Sequence, residues 1–181
     1  MLQVLRFLGL MNAAVWLGGV VYFSAAGIRT VFQPSIRALF HEYYVGTVAQ
    51  ALQASYFRFQ VVCAAVAIVH LLLLWWLRPR HVQRPLATIV AIMSALVVLT
   101  AFVIQPQMKS LFETKHRAPT WAQRETAATR FRVWHGVSQG FNLLILGGLV
   151  FYVWRMAAPA DEVKFLTTQK AQNPFAVSER V

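Results

Sequence analysis

Residues 86 to 108 read LATIVAIMSALVVLTAFVIQPQM, 23 positions without Asp, Glu, Lys or Arg. A helix crosses the hydrocarbon of a bilayer in about 20 apolar residues, so this stretch is long enough to span. Three further runs share the property: Phe7 to Ile28, Phe59 to Leu77 and Val133 to Trp154. A lone apolar strand would leave its backbone unpaired in lipid, and four runs cannot close a barrel. The predicted fold is therefore all-α, a polytopic membrane bundle of four transmembrane helices. Residues 1–157 are expected to form the transmembrane domain and 158–181 a polar C-terminal tail.

Composition agrees. The 181 residues are 58% hydrophobic and 13% charged, against roughly a quarter charged in soluble domains. The net charge of +11 would point to nucleic acid in a soluble protein. Here all the Lys and Arg lie outside the spans, so the expected partner is the bilayer with its anionic headgroups, and no nucleic acid. Trp75, Trp76, Trp121, Trp134, Tyr152 and Trp154 fall near span ends and read as an interfacial belt. The single cysteine, Cys63, lies within the second span and can form no intrachain disulfide. The first run is also compatible with a signal peptide, but it is longer than the usual apolar core of one.

With four spans, both termini and the 78 to 84 loop share one side, while the 29 to 58 and 109 to 132 connections share the other. Eight Lys and Arg fall on the terminal side and nine on the loop side, a balance that fixes no orientation. The three Arg in the 78 to 84 loop favour cytoplasmic termini. In the first connection Pro34 is expected to start a helix from Ser35 to Tyr44. Its Ile36, Leu39, Phe40 and Tyr43 share one face, to lie on the membrane or against the bundle. In the second, Pro119 followed by a capping Thr120 predicts a basic hairpin rising above the membrane.

Polar residues inside a span seek the bundle interior. In span four, His135, Ser138, Gln139 and Asn142 recur at i, i+3, i+4 and i+7, which predicts one inward face. Gln60, Cys63, Ala67 and His70 do the same in span two, and Asn12, Trp16 and Gly19 in span one. Depth separates two belts. Gln60, Gln105, His135 and Gln139, with Arg132 above them, fall on the loop side. Asn12 and His70 fall nearer the terminal side as a facing structural pair, with Asn142 near the middle. The loop-side belt is either a packed hydrogen-bonded plug or a ligand pocket lined by Gln105, Arg132, His135 and Gln139. Gln60 would be its floor and the basic hairpin its lid. Pro106, which donates no backbone hydrogen bond, should disturb span three beside it.

Familiar chemistries find little support. His70 and His135 lie towards opposite sides and cannot share a haem. Glu113-Thr114-Lys115-His116 has the Glu-x-x-His form of di-iron bundles, yet a single copy is present and all acidic residues lie outside the spans. No nucleophile motif or phosphate loop occurs. No catalytic residue, metal site or cofactor is predicted.

Three stretches carry a family resemblance: Trp16-Leu17-Gly18-Gly19, Gln105-Pro106-Gln107-Met108, and Arg130-Phe131-Arg132-Val133-Trp134-His135-Gly136-Val137-Ser138 followed by Asn142. Over about residues 5 to 156 the chain resembles the bacterial branch of the transmembrane protein 205-like family, also known as domain of unknown function 4149. The resemblance implies a small multi-pass protein of the cell inner membrane with no established catalytic activity. Two functions stay open. One is a non-enzymatic accessory or assembly subunit packing against other membrane protein subunits; the other is a quinone-like or metal-linked small-molecule site in the loop-side belt.

Overall fold

The computed structural model describes residues 2–77 and 84–157. The arginine-rich loop at 78–83 and the tail at 158–181 lie outside the described residues. Four long helical rods are present, each long and apolar enough to cross a membrane. The first runs through α1 (Leu2–Tyr22), a π-helical turn (Phe23–Gly27) and α2 (Ile28–Val31). After α3 (Pro34–Leu39) comes α4 (Glu42–Leu77), the second rod. The third is α5 (Arg84–Leu99), a π-helical turn (Thr100–Ile104) and α6 (Gln105–Arg117), and the fourth is α7 (Trp121–Ala157). No strand occurs among the described residues.

α1 packs on α4 and α7, and α5 packs on the same two helices. The bundle is thus a square with α1 opposite α5 and α4 opposite α7. Ala13, Trp16, Val20, Ala64, Ala67, Val90, Val97, Ile145 and Leu149 fill its centre. Because lipid is as apolar as these side chains, the helices gain from close packing and hydrogen bonds, with no hydrophobic drive. Close packing is visible at Gly9 and Gly19 of α1. A Cβ at Gly9 would collide with the His70 imidazole, and one at Gly19 with the Phe59 ring.

Both π-helical turns lie in the loop-side halves of their rods. The one in the third rod has a covalent cause: Pro106 has no N–H for the carbonyl one turn back, and its ring needs that carbonyl displaced. The turn at Thr100–Ile104 opens the helix just before it, as the proline predicted. Thr100 Oγ1 donates to the Leu96 carbonyl at 2.7 Å within the same stretch.

α4 and α7 contain 36 and 37 residues, hence about 54 Å of helix against about 30 Å of hydrocarbon. Their N-terminal parts therefore project with α6 beyond the loop-side surface. The predicted hairpin is α6 and α7, turned at Ala118–Thr120. Thr120 Oγ1 accepts from the Gln123 N–H at 3.4 Å and Arg124 Nε donates to the Ala118 carbonyl at 2.6 Å.

Two sequence expectations need correction. The helix expected over Ser35 to Tyr44 ends at Leu39, because Phe40 is extended. Tyr43 instead belongs to α4, which restarts with the Tyr44 and Val45 amides on the His41 carbonyl. Tyr152 is no interfacial anchor: it is buried in the core, whereas Trp75, Trp76, Trp121 and Trp154 are exposed. Position near a span end fixes an aromatic residue's depth, and helix phase decides whether it faces lipid.

Candidate functional site

α4 carries an inward stripe that is mostly polar. Gln53, Tyr56, Gln60, Cys63, Ala67 and His70 recur every three or four residues, and all six are buried. Such a stripe in a membrane needs partners from the other rods.

Three sets of partners are formed. At the loop-side level, Tyr56 Oη donates to Asn142 Oδ1 across the diagonal of the square. Asn142 Nδ2 donates in turn to Ser24 Oγ at 2.9 Å. Ser24 sits in the first π-helical turn, and its neighbour Phe23 stacks on Tyr56 with ring centroids 3.9 Å apart and planes 3° from parallel. Below this, Asn12 Nδ2 donates to the Cys63 carbonyl at 3.0 Å. Lower still, His70 Nε2 donates to the Leu5 carbonyl at 3.0 Å. Asn12 and His70 both face inward, as expected, but each bonds backbone and they do not meet. Leu5 and Asn12 are seven residues apart, as are Cys63 and His70, so antiparallel packing leaves two rungs about 10 Å apart.

The residues assigned to a loop-side pocket separate into two groups. Gln60 is buried and Gln105 half-buried, and the side-chain Oε1 of each is buried without a hydrogen-bond partner. Arg132, His135 and Gln139 are exposed on the flank of α7. Arg132 donates to Thr129 Oγ1 at 3.3 Å and the His135 ring stacks on Phe131. The predicted inward face of span four is thus rotated. Its inward residues are Ser138, Ile145, Leu149 and Tyr152, with Trp134 and Asn142 half-buried. His135 and Gln139 each follow an inward position by one residue, which on a helix is about 100° of rotation.

Above the membrane an aromatic cluster joins the projecting ends. Tyr43 stacks on Phe112, and Phe112 touches His116 and Phe131. A Cβ at Gly46 would collide with the Phe112 ring, so α4 and α6 approach closely there. Lys115 pairs with Glu42 at 2.9 Å, and Arg117 donates to Tyr43 Oη at 2.8 Å. The Lys115 hydrogen bond and charge hold the Glu42 carboxyl below its ordinary pKa. A shallow groove of about 470 Å³ lies between α3 and α4, lined by Ile36, Phe40, Tyr44 and Val48. No group of three or more His, Cys, Asp or Glu converges among the described residues.

The sequence reading passed over one feature of α7. Gly136, Gly140 and Gly147 carry open space where a Cβ would stand, and all three are exposed beside His135 and Gln139. The glycine spacing in an apolar span was the available signal.

Fold and site together define a polytopic membrane bundle with a polar interior and a glycine-bearing outer flank. The family model described as domain of unknown function (DUF4149) matches residues 11–117, and the chain belongs to that family. The match takes in the Trp16–Gly19 and Gln105–Met108 stretches; the stretch at Arg130–Ser138 lies outside it. No curated protein and no solved structure matches the chain.

Proposed function

We propose that the chain is a non-enzymatic accessory or assembly subunit of the cell inner membrane, with its termini in the cytoplasm. The outer flank of α7 docks a transmembrane helix of another membrane protein. One observation carries this reading: His135 and Gln139 are exposed within the predicted span, beside Gly136, Gly140 and Gly147, which nothing among the described residues covers. Lipid offers a glutamine amide no hydrogen-bond partner, whereas a neighbouring helix does. Bare glycines let that helix's backbone approach closely, and polar side chains at such a seam add interhelical bonds. The loop-side pocket is less favoured, because Arg132, His135 and Gln139 lie on the outside and Gln60 and Gln105 on the inside.

The test is a photo-crosslinking residue at Leu143, an exposed position on the same flank, with Val62 on α4 as the control. After purification in mild detergent, crosslinks from position 143 should fall within a membrane span of a different protein. They should vanish in Gly140→Ile and stay absent from position 62. A chain that crosslinks only to itself, or to nothing, overturns the reading.

A further inference from the structure

Of seven buried side-chain polar atoms without a hydrogen-bond partner among the described residues, His70 Nδ1 lies towards the terminal side and Gln50 and Gln105 Oε1 towards the loops, which leaves four near the middle of the bundle: Trp16 Nε1, Gln60 Oε1, Ser94 Oγ and Tyr152 Oη. Their residues are 0%, 2%, 6% and 0% exposed. Each spanning rod supplies one of these four. Native proteins leave few buried polar groups unpaired, and in a membrane each unpaired group costs more than at a wet surface.

Helix register places three of the four at one depth. α1 and α4 are antiparallel, with Asn12 bonded to Cys63; four residues on and three residues back put Trp16 level with Gln60. α4 and α7 run parallel, Tyr56 meeting Asn142 at an offset of 86, and both His70 and Met156 approach Gly9. Met93 of α5 packs at Gly148, which that offset sets level with position 62, two residues from Gln60. Ser94 adjoins Met93. Tyr152 lies one turn beyond Gly148, and helical side chains incline towards their N-terminus, which brings its hydroxyl back towards the Gly148 level. Register therefore sets Trp16, Gln60 and Ser94 within about one helical turn of depth, roughly 5 Å, with Tyr152 about a turn further along α7 and its ring inclined back towards them, in a square whose centre all four rods face.

The donor and acceptor set defines the ligand. An indole N–H only donates, and an amide oxygen only accepts. The two hydroxyls do either. None carries charge and no carboxylate occurs in any span, so a cation or anion would find no counter-charge. We propose that the four rods together build a binding site for one or two water molecules at the centre of the bundle, bridging Trp16, Gln60, Ser94 and Tyr152. A buried water makes about three hydrogen bonds to polar groups otherwise unpaired, as this set offers. The site lies between the Tyr56–Asn142–Ser24 network and the Asn12 and His70 rungs. The water thus joins them into a polar column along the buried face of α4.

Magnetisation transfer from water to tryptophan indoles, in protein labelled with ¹⁵N-tryptophan and held in lipid nanodiscs, tests the site. The Trp16 indole signal is assigned by its loss in Trp16→Phe. In the wild-type protein it should receive magnetisation from water, although its residue is fully buried. Combining Gln60→Leu with Ser94→Ala should abolish that transfer while the other five indole signals keep their positions. Tyr152→Phe, which removes one oxygen and keeps the shape, should weaken the transfer at least twofold and serves where the double variant does not fold. A wild-type Trp16 indole without contact to water, or a contact unchanged in these variants, overturns the proposal.

Discussion

α4 and α7 differ by one residue in length and run parallel across the diagonal of the square, yet they place their polar side chains in opposite ways. α4 turns Gln53, Tyr56, Gln60, Cys63 and His70 into the bundle and shows lipid Val62, Val66, Val69 and Leu73. α7 turns Ser138 inward, holds Asn142 half-buried, and leaves His135 and Gln139 outside with three bare glycines. Similar composition therefore serves internal cohesion in one helix and an outward surface in the other. What separates them is phase: one residue of offset is about 100° on a helix.

The sharpest test of this contrast compares Asn142→Leu with Gln139→Leu. Asn142 accepts from Tyr56 and donates to Ser24, so removing its amide leaves a buried hydroxyl without its acceptor. Thermal unfolding in detergent should show a loss of about 2 kcal/mol. Gln139 has no hydrogen bond to lose among the described residues, and its replacement should change stability by less than about 0.5 kcal/mol. Equal losses at the two positions would remove the distinction between the faces.

Glycines provide the next comparison. Gly19→Ala must displace the Phe59 ring and should cost about 1 to 2 kcal/mol, as overpacking does. Gly140→Ala meets open space and gains helix propensity, so its stability should hold or rise by up to about 1 kcal/mol. The same chemical change thus has opposite signs at the two sites. A thermal melt of each purified variant reads them directly.

Most of the architecture was legible because the bilayer imposes it. Spans of about 20 apolar residues, the proline after a disturbed turn and the Thr120 cap are local signals with direct physical causes. The site was less legible because it depends on phase. For span two the i, i+3, i+7 pattern from Gln60 found the buried stripe, since its polar residues coincide with the packing stripe. For span four the polar set and the packing stripe differ by one residue, and His135 and Gln139 were carried inward with Ser138. Tyr56, Ser94 and Tyr152 were missed for a related cause. Tyrosine and serine are common in apolar helices, and only the packed bundle shows which of their hydroxyls are buried. The Asn12 and His70 pairing failed because a histidine and an asparagine each found a backbone carbonyl nearer than one another.

The smallest expected effect lies outside the membrane, where the Lys115–Glu42 pair ties α6 to the first turn of α4. Glu42 is well exposed, so the pair is screened and should contribute about 0.5 kcal/mol or less. The sign of its pH dependence still follows. Bonding to Lys115 lowers the Glu42 pKa from 4.5, so the folded state favours the ionised carboxylate. The contribution is complete above the unfolded pKa and is lost as pH falls through the lower folded value. Glu42→Gln should therefore melt slightly below the wild-type protein at pH 7, and the difference should close once the pH is well under 4.5. Raising the salt concentration at pH 7 should shrink the same difference, because an exposed pair is screened by ions. The buried Tyr56–Asn142–Ser24 network holds no charge, and the deficit of Asn142→Leu should be unaffected by salt. A salt-insensitive loss in Glu42→Gln would mean that Glu42 acts through packing of the α4 terminus, and the aromatic cluster around Tyr43 and Phe112 would then carry the contact between α4 and α6.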